Sequence, residues 1–307
     1  MAVLTDILIV IISILITAKG ASWLVDSSIR IAKKLGISEL VIGLTIVAAG
    51  TSAPEFGVTL LAAFRGMGDI SVGNIVGSNV FNLGFILGGT AIIRNLSTNR
   101  KVVIRDGGFL LVGTLILTFF LWDLSLSMKE GSVLLIMLIV YLGHLFWNKE
   151  PIEHESEQDT VYNWYDPLLL ILGLAMVIIS SHFLVDSASD LAELAGISQW
   201  VIGATIVAAG TSAPELATSV VAAIKGNHGI SVGNLLGSDI FNMYGVLSTA
   251  AIMRELPVDI EARSNMILLI LMVILVIVFM RTNWRVSRME GVFLIILGLS
   301  RWVYSFL

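Results

Sequence analysis

The chain carries the sequence VIGLTIVAAGTSAPE at residues 41–55 and VIGATIVAAGTSAPE at residues 201–215. Fourteen of these fifteen positions are identical, and the two copies start 160 residues apart. The same spacing relates GSNVFN at residues 77–82 to GSDIFN at residues 237–242. Self-similarity at a fixed offset indicates an internal structural repeat. The chain is therefore predicted to consist of two diverged copies of one unit, each with the same pair of motifs.

The composition indicates a membrane protein. Only 13% of the 307 residues are charged, whereas 56% are hydrophobic, and soluble domains carry about 25% charged residues. Soluble enzymes, nucleic-acid-binding proteins and disordered regulators are therefore excluded. Cysteine is absent, which removes disulfides, thiol nucleophiles and cysteine metal sites. Since one span needs about 20 residues, the length is sufficient for a polytopic protein with short loops.

We predict an all-α integral membrane protein with ten transmembrane helices. Five helices are predicted in residues 1–148 and five in residues 166–307, and an acidic cytoplasmic linker over residues 149–165 joins them. Because five is odd, the second unit must cross the membrane inverted relative to the first, which is the architecture of secondary transporters. The predicted helices cover residues 4–34, 40–64, 70–93, 107–124, 131–147, 168–195, 200–224, 230–253, 265–280 and 291–304.

The distribution of basic residues predicts the orientation. If the N-terminus is outside, twelve loop Lys and Arg residues face the cytoplasm and five face the exterior. Positive charge is enriched in cytoplasmic loops, so both termini are expected outside the cell membrane. The linker contains Glu150, Glu153, Glu155, Glu157 and Asp159. It lacks the ligand spacing of a calcium loop, so we expect a solvated tether.

Two glutamates stand out because they are predicted to lie deep within the membrane. Glu55 and Glu215 lie in the middle of otherwise apolar predicted helices, where an ionisable residue is costly and usually functional. Each follows a proline, and Pro54 and Pro214 are expected to break the helices and free backbone carbonyl oxygens. Non-helical backbone at this depth is tolerated where it lines a cavity. The pair of carboxylates predicts a cation site at the midplane.

In each unit, the helix that follows the glutamate-bearing helix carries a polar stripe, with a polar residue at every fourth position. Its glycines recur in a GxxxG spacing that allows backbones to approach closely. Carboxylates, hydroxyls and amides form an all-oxygen set, which suits Ca²⁺ and other hard cations. Asn74 and Asn234 are explained equally well as part of this oxygen set or as residues that form hydrogen bonds between helices. Asp239 replaces Asn79 in the repeat and is expected to be structural. The stripes comprise Asn74, Ser78 and Asn82 in one unit and Asn234, Ser238 and Asn242 in the other.

The paired GTSAPE and GSxxFN segments resemble the alpha-repeats of the calcium/cation antiporter superfamily. The resemblance covers nearly the whole chain and is nearest to the prokaryotic Na⁺/Ca²⁺ exchangers. It implies that the first and sixth helices slide against a core formed by the other eight. It also implies that Glu55 and Glu215 bind Ca²⁺ together with backbone oxygens at Thr51 and Thr211. Sodium sites would add Ser52, Ser78, Ser212, Ser238 and the carbonyls of Ala48 and Ala208, and the polar stripe adds Asn82 and Asn242 to the metal site.

The implied function is export of Ca²⁺ in exchange for Na⁺ by alternating access. Some family members have Asp at the position of Asn242, a feature linked to K⁺ dependence or protonation; the amide here disfavours K⁺ co-transport. Proton-coupled members typically have GNxxE in place of GTSAPE, so the chain follows the sodium pattern. An H⁺/Ca²⁺ exchanger that uses the same two glutamates is the alternative. No cofactor, nucleic acid or obligatory protein partner is expected beyond Ca²⁺, the counter-ion and the lipid bilayer.

Two other classes of membrane protein compete with an antiporter. A metal-dependent hydrolase acting on phosphates would place Lys or Arg beside the two carboxylates, and none lies near them in the sequence. A duplicated symmetric site also suits alternating access better than asymmetric bond cleavage. A channel would conduct cations without a counter-ion, which is a property that vesicle experiments distinguish.

Overall fold

A computed structural model describes residues 2–147, 161–197, 202, 206 and 208–305 of the chain. The linker glutamates and Asp159 lie outside these residues, as does most of the first half of the seventh predicted helix. The described chain is almost entirely helical. Its helices are α1 Ala2–Leu35, α2 Glu39–Thr51, α3 Ala53–Phe64, α4 Gly68–Ile93, α5 Val102–Asp123, α6 Met128–Trp147, α7 Asp166–Leu194, α8 Ala208–Gly210, α9 Ala213–Ile224, α10 at residues 228–253, α11 Glu261–Arg281 and α12 Arg288–Ser305.

Six described helices are long and apolar enough to cross a membrane, and the bent pair α2–α3 raises this number to seven. Their outward faces carry large apolar side chains, such as Phe119 and Ile136, which are 76% and 59% exposed. A protein in water would bury such surface, whereas lipid accommodates it. The chain is therefore a multi-pass membrane protein. The predicted helix positions agree with the described helices to within a few residues, while ten spans remain a prediction.

The helix that follows α1 begins and breaks at positions that local chemistry specifies. The Ser38 hydroxyl accepts a hydrogen bond from the backbone N–H of Val41 at 3.3 Å, which caps the N-terminus of α2. Pro54 lacks an N–H and clashes with the carbonyl four residues earlier. The helix accordingly breaks at Ser52, with φ −77° and ψ 8°, and α3 continues at an angle of 50° to α2.

Residues that are 160 positions apart make matching contacts at the ends of the helices. The Arg94 side chain donates to the carbonyl of Ile224 at 2.9 Å, and its counterpart Arg254 donates to the carbonyl of Phe64 at 3.2 Å. Two short antiparallel pairs also join the halves. Leu96–Ser97 (β1) pairs with Arg285–Val286 (β4), and Ser125–Leu126 (β2) pairs with Leu256–Pro257 (β3). Each half therefore holds the helix ends of the other.

The helices form a buried centre and a peripheral pair. α4 and α10 lie in the centre, where nearly every residue of α10 from Ile230 to Ile240 is buried. α1 and α7 pack along each other at the edge, and most of their apolar surface faces outward. Their contact includes a hydrogen bond of 2.6 Å between the hydroxyls of Thr17 and Ser180. The polar motifs belong to the centre, so they lie away from lipid.

Candidate ion-binding site

The two helix breaks place two carboxylates at the centre of the bundle. Glu55 lies in the first turn of α3 and Glu215 in the first turn of α9, and each follows a proline in that turn. Both residues are completely buried. The N-terminus of a helix carries partial positive charge and favours an anionic side chain. Each break therefore creates a helix start that supports one buried carboxylate.

Serines from the opposite motif bind these carboxylates. The Ser212 hydroxyl donates to Oε1 of Glu55 at 3.0 Å, and the Ser52 hydroxyl donates to Oε1 of Glu215 at 3.1 Å. The Ser238 hydroxyl also lies 3.4 Å from Oε1 of Glu215. The two motifs are thus crossed, because each glutamate accepts a hydrogen bond from the serine of the other motif, and Ser238 of its own half adds a second contact to Glu215. The structure brings both predicted glutamates and three predicted serines into one cluster.

The other oxygen of each glutamate faces no hydrogen-bond donor in the part of the chain that the structure describes. Oε2 of Glu55 and Oε2 of Glu215 are buried without a hydrogen-bond partner among the described residues. In the same part of the chain, no Lys or Arg forms an ion pair with either group. Buried anionic oxygens require a compensating charge or hydrogen bond. The site as built from protein atoms therefore needs bound cations or protons.

The amides of the polar stripes complete the oxygen set. Asn82 and Asn242 are fully buried, and the Oδ1 atom of each lacks a partner among the described residues. Each asparagine begins a π-helical turn, Asn82–Ile86 in α4 and Asn242–Leu247 in α10. Such turns are frequent at functional sites. The cluster combines carboxylate, hydroxyl and amide oxygens, and such oxygen sets suit hard cations. Within the described residues no group of three His, Cys, Asp or Glu side chains could hold a metal.

The remaining predicted site residues differ in their placement. The Thr51 hydroxyl donates to Oδ1 of Asn234 at 3.1 Å, whereas Thr211 is half-buried. Ser78 is buried in α4, and no hydrogen bond from its hydroxyl to a carboxylate is found in the described residues. The carbonyl of Ala48 already accepts the N–H of Ser52 at 3.0 Å. Ala208 begins α8, and its side chain lies outside the described part.

Asn74 and Asn234 hold the chain around the glutamates. Nδ2 of Asn74 donates to Thr59 Oγ1 at 3.0 Å, and Nδ2 of Asn234 donates to the Ser219 hydroxyl at 3.0 Å. The same amides lie 3.4 Å from the carbonyls of Glu55 and Glu215. The interpretation of these two asparagines as links between helices is consistent with these contacts.

The glycine stripe of α10 allows the predicted close approach of two helix backbones. A Cβ atom on Gly237 would lie 2.7 Å from the Leu44 backbone, and one on Gly233 would lie 2.7 Å from the carbonyl oxygen of Leu40. α10 therefore packs backbone to backbone against α2. At Gly73 and Gly77 no described atom lies within 4 Å of the corresponding position, and residues 200 and 204, the repeat counterparts of Leu40 and Leu44, lie outside the described residues. The close approach in this half stays a prediction.

The sequence interpretation missed the position of Asp239. This residue is fully buried, and its Oδ1 accepts a hydrogen bond from Nδ2 of Asn82 at 2.9 Å. The helical period places it away from the polar stripe of its own helix. The stripe of α4 nevertheless reaches it from across the interface. The available signal was the single change from Asn79 to Asp239 between otherwise similar GSxxFN segments.

Comparison with known proteins identifies the family. A family model described as sodium/calcium exchanger protein matches residues 5–147 and 165–300. The putative antiporter CaxA of Alkalimonas amylolytica is 35% identical, covering 93% of this chain and 94% of that protein. The sodium/calcium exchanger MaX1 of Methanosarcina acetivorans is 30% identical, covering 94% and 95%.

The fold agrees with solved structures of the sodium–calcium exchanger NCX_Mj. One of them, soaked with 10 mM Na⁺ and no Ca²⁺, matches with a TM-score of 0.84 and 31% identity over 97% of both chains. These relatives are transporters, which agrees with the prediction that the chain is not an enzyme. The family model and the relatives cover both halves and both motifs, and the chain belongs to the sodium/calcium exchanger family.

Proposed function

We propose that this protein exports Ca²⁺ in exchange for Na⁺ at the site formed by Glu55 and Glu215. The observation that carries the proposal is the crossed arrangement of the two motifs. Each carboxylate accepts a hydrogen bond from the opposite serine and leaves its second oxygen buried and unpaired among the described residues. Two anionic groups that share one enclosed site attract a divalent cation or several monovalent cations. The names of the relatives support the same pair of ions.

The charge of the site supplies a reason for obligatory exchange. With both glutamates ionised, the empty site carries a buried charge of about −2, which is strongly unfavourable. One Ca²⁺ or two protons neutralise it, and three Na⁺ leave a net charge of about +1. We infer that only cation-filled states can close and reorient. With three Na⁺ the cycle would move one charge, worth about 2.3 kcal/mol per 100 mV, whereas two protons would make it electroneutral.

In this proposal Ca²⁺ is bound by Glu55 and Glu215 with backbone oxygens at Thr51 and Thr211. Sodium ions additionally use Ser52, Ser78, Ser212, Ser238 and the carbonyls of Ala48 and Ala208. To these sodium sites we add the amide oxygens of Asn82 and Asn242. We further infer ten spans in two inverted units and both termini outside, on the basis of the repeat and the basic loops.

Ion-driven uptake distinguishes the counter-ions. Purified protein is reconstituted into liposomes, and ⁴⁵Ca²⁺ uptake is measured under an imposed Na⁺ gradient and then under a pH gradient without Na⁺. We expect uptake with Na⁺ alone, accelerated by a membrane potential of the sign that drives the net charge. Uptake driven only by pH would replace the sodium proposal with H⁺/Ca²⁺ exchange. Ca²⁺ flux that needs neither gradient nor counter-ion would indicate a channel.

The residue assignment is tested with Glu55→Gln and Glu215→Gln. Each variant removes one buried anionic charge and should abolish Ca²⁺ uptake, because a glutamine cannot neutralise Ca²⁺. Glu193→Gln is a matched control, since Glu193 is exposed at the end of α7. It should retain native uptake. Native activity in either buried variant would disprove the assignment of the site.

A further inference from the structure

The interface between α4 and α10 contains a buried cluster of four polar side chains, of which Asn79 and Asp239 have no role yet in the proposed exchange. It consists of Asn79 and Asn82 on α4 and Asp239 and Asn242 on α10, which we call the amide cluster. All four side chains are completely buried. Three of their oxygens have no partner in the described residues, namely Asn82 Oδ1, Asn242 Oδ1 and Asp239 Oδ2.

Asp239 determines how the Asn82 amide is oriented. Asp239 Oδ1 accepts from Asn82 Nδ2 at 2.9 Å. Oδ1 of Asp239 accepts a hydrogen bond when the side chain is ionised and also when its proton is on Oδ2, whereas the two ends of an amide differ, because the nitrogen donates and the oxygen accepts. Turning the Asn82 amide over would place two acceptor oxygens against each other. The carboxylate therefore fixes the nitrogen toward itself and directs Asn82 Oδ1 to the other side.

The backbone of the same residue controls Asn242 through Asn79. Nδ2 of Asn79 donates to the carbonyl oxygen of Asp239 at 3.1 Å. This bond fixes the Asn79 amide, so its Oδ1 is available as an acceptor. Nδ2 of Asn242 donates to that oxygen at 3.1 Å, and Asn242 Oδ1 is left without a partner in the described chain. Residue 239 is thus linked to both stripe asparagines, by its side chain to one and by its carbonyl to the other.

We propose that Asp239 is a positioning residue of the ion site, which presents the amide oxygens of Asn82 and Asn242, rather than their nitrogens, to the transported cations. The inference rests on the proposed function, in which these two oxygens bind Na⁺. Cations are repelled by an N–H group and attracted by a carbonyl oxygen, so the orientation of each amide decides whether it contributes to binding. Asp239 stands where the other repeat has Asn79. Because its side chain has no N–H, it favours the orientation in which the Asn82 amide nitrogen faces it.

The test combines a loss variant with a swap of the interacting pair. Asp239→Leu removes the acceptor, so the Asn82 amide can adopt either orientation. In the double variant Asn82→Asp/Asp239→Asn, the amide introduced on α10 can donate its N–H to one oxygen of the carboxylate introduced on α4. The second oxygen of that carboxylate remains for the cations. Asn82→Asp alone instead places two carboxylates in contact.

The Na⁺ concentration for half-maximal ⁴⁵Ca²⁺ uptake and the maximal rate are measured for each variant. Thr90→Val serves as control, because Thr90 is a buried residue of α4 away from the amide cluster. We expect Asp239→Leu to raise the half-saturating Na⁺ concentration about tenfold, which corresponds to about 1.4 kcal/mol, with a smaller effect on the maximal rate. Asn82→Asp should be similarly impaired, and the swap should return to within about threefold of the native value.

Native Na⁺ dependence in Asp239→Leu, or a swap no better than Asn82→Asp, would overturn the proposal. If Asp239→Leu does not fold, the comparison of the swap with Asn82→Asp still decides. Absence of Na⁺-driven uptake in the native protein would instead refute the exchange function itself.

Discussion

At the scale of single residues, the central feature is that each half of the chain binds the buried glutamate of the other half. Glu55 is bound by Ser212 and Glu215 by Ser52, so each motif completes the other. A hydrogen bond to a charged group contributes about 1.5–3 kcal/mol. It also leaves the serine oxygen lone pairs free to face a cation. The crossed serines therefore orient the carboxylates, and in the proposed site they would also serve as neutral ligands.

Alanine at either crossed serine should weaken cation binding by similar amounts. Ser52→Ala and Ser212→Ala each remove one donor to a buried carboxylate, so we expect the Ca²⁺ concentration for half-maximal uptake to rise about tenfold or more. The control is Ser71→Ala, because the Ser71 hydroxyl donates to the Thr59 carbonyl at 3.0 Å, away from both carboxylates. Unchanged Ca²⁺ dependence in both site variants would contradict a role of these serines at the site.

The sequence was sufficient to select the two glutamates and three serines that the structure brings together, because acidic and polar groups inside an apolar helix have few alternative explanations. It was not sufficient to find which serine meets which glutamate, since that pairing depends on how two distant segments pack. Asp239 shows the same limit. Its position along α10 is evident from the helical period, but its contact with Asn82 comes from the neighbouring helix.

At the scale of elements, prolines and packing control different distortions. The break at Ser52 follows from Pro54 alone and was predictable. The π turns at Asn82–Ile86 and Asn242–Leu247 have no comparable signal, because a stripe with every fourth residue polar fits an ordinary α-helix. A π turn adds one residue to the backbone ring and changes which side chains share a face. The directions of the side chains beyond each π turn are therefore evident only from the packed structure.

The glycine stripes predict how one added methyl group affects stability. In Gly237→Ala the new Cβ would lie 2.7 Å from the Leu44 backbone, so α10 and α2 must separate, at a cost of about 1–3 kcal/mol. We expect a lower unfolding temperature in detergent. The repeat predicts a similar loss of stability for Gly77→Ala, because Gly77 is the counterpart of Gly237.

The matched pair makes this prediction specific. Both glycines occupy the same place in the GSxxFN segments, 160 residues apart, and both variants add one methyl group. Equal losses of thermal stability in the two variants would support the symmetric packing that the repeat predicts. A native unfolding temperature in Gly77→Ala would mean that α4 does not pack against its neighbour as α10 packs against α2.

At the scale of the whole molecule, α1 and α7 form a unit that is tied to the remaining bundle at one end. Arg30 and Asp166 join the two helices by an ion pair of 2.7 Å. The link to the bundle is made by Lys225, which follows α9 and lies 2.6 Å from Asp26 of α1. The repeat counterparts of this link are Arg65 and Asp186. In the structure Arg65 is exposed, and Asp186 lies 3.4 Å from His182 of its own helix.

Sliding of α1 and α7 should therefore exchange one ion pair for the other. The chain has no cysteine, so Asp26→Cys/Lys225→Cys and Arg65→Cys/Asp186→Cys can be treated with a short, reducible bifunctional thiol reagent. We expect the first pair to cross-link readily in the purified protein and to stop uptake until the link is reduced, because α1 is then fixed to α9. The second pair should cross-link mainly while the protein transports Ca²⁺, when α7 approaches α3. Equal linkage of both pairs in the resting protein, or unimpaired uptake with the first pair linked, would mean that the peripheral helices do not move against the bundle in this way.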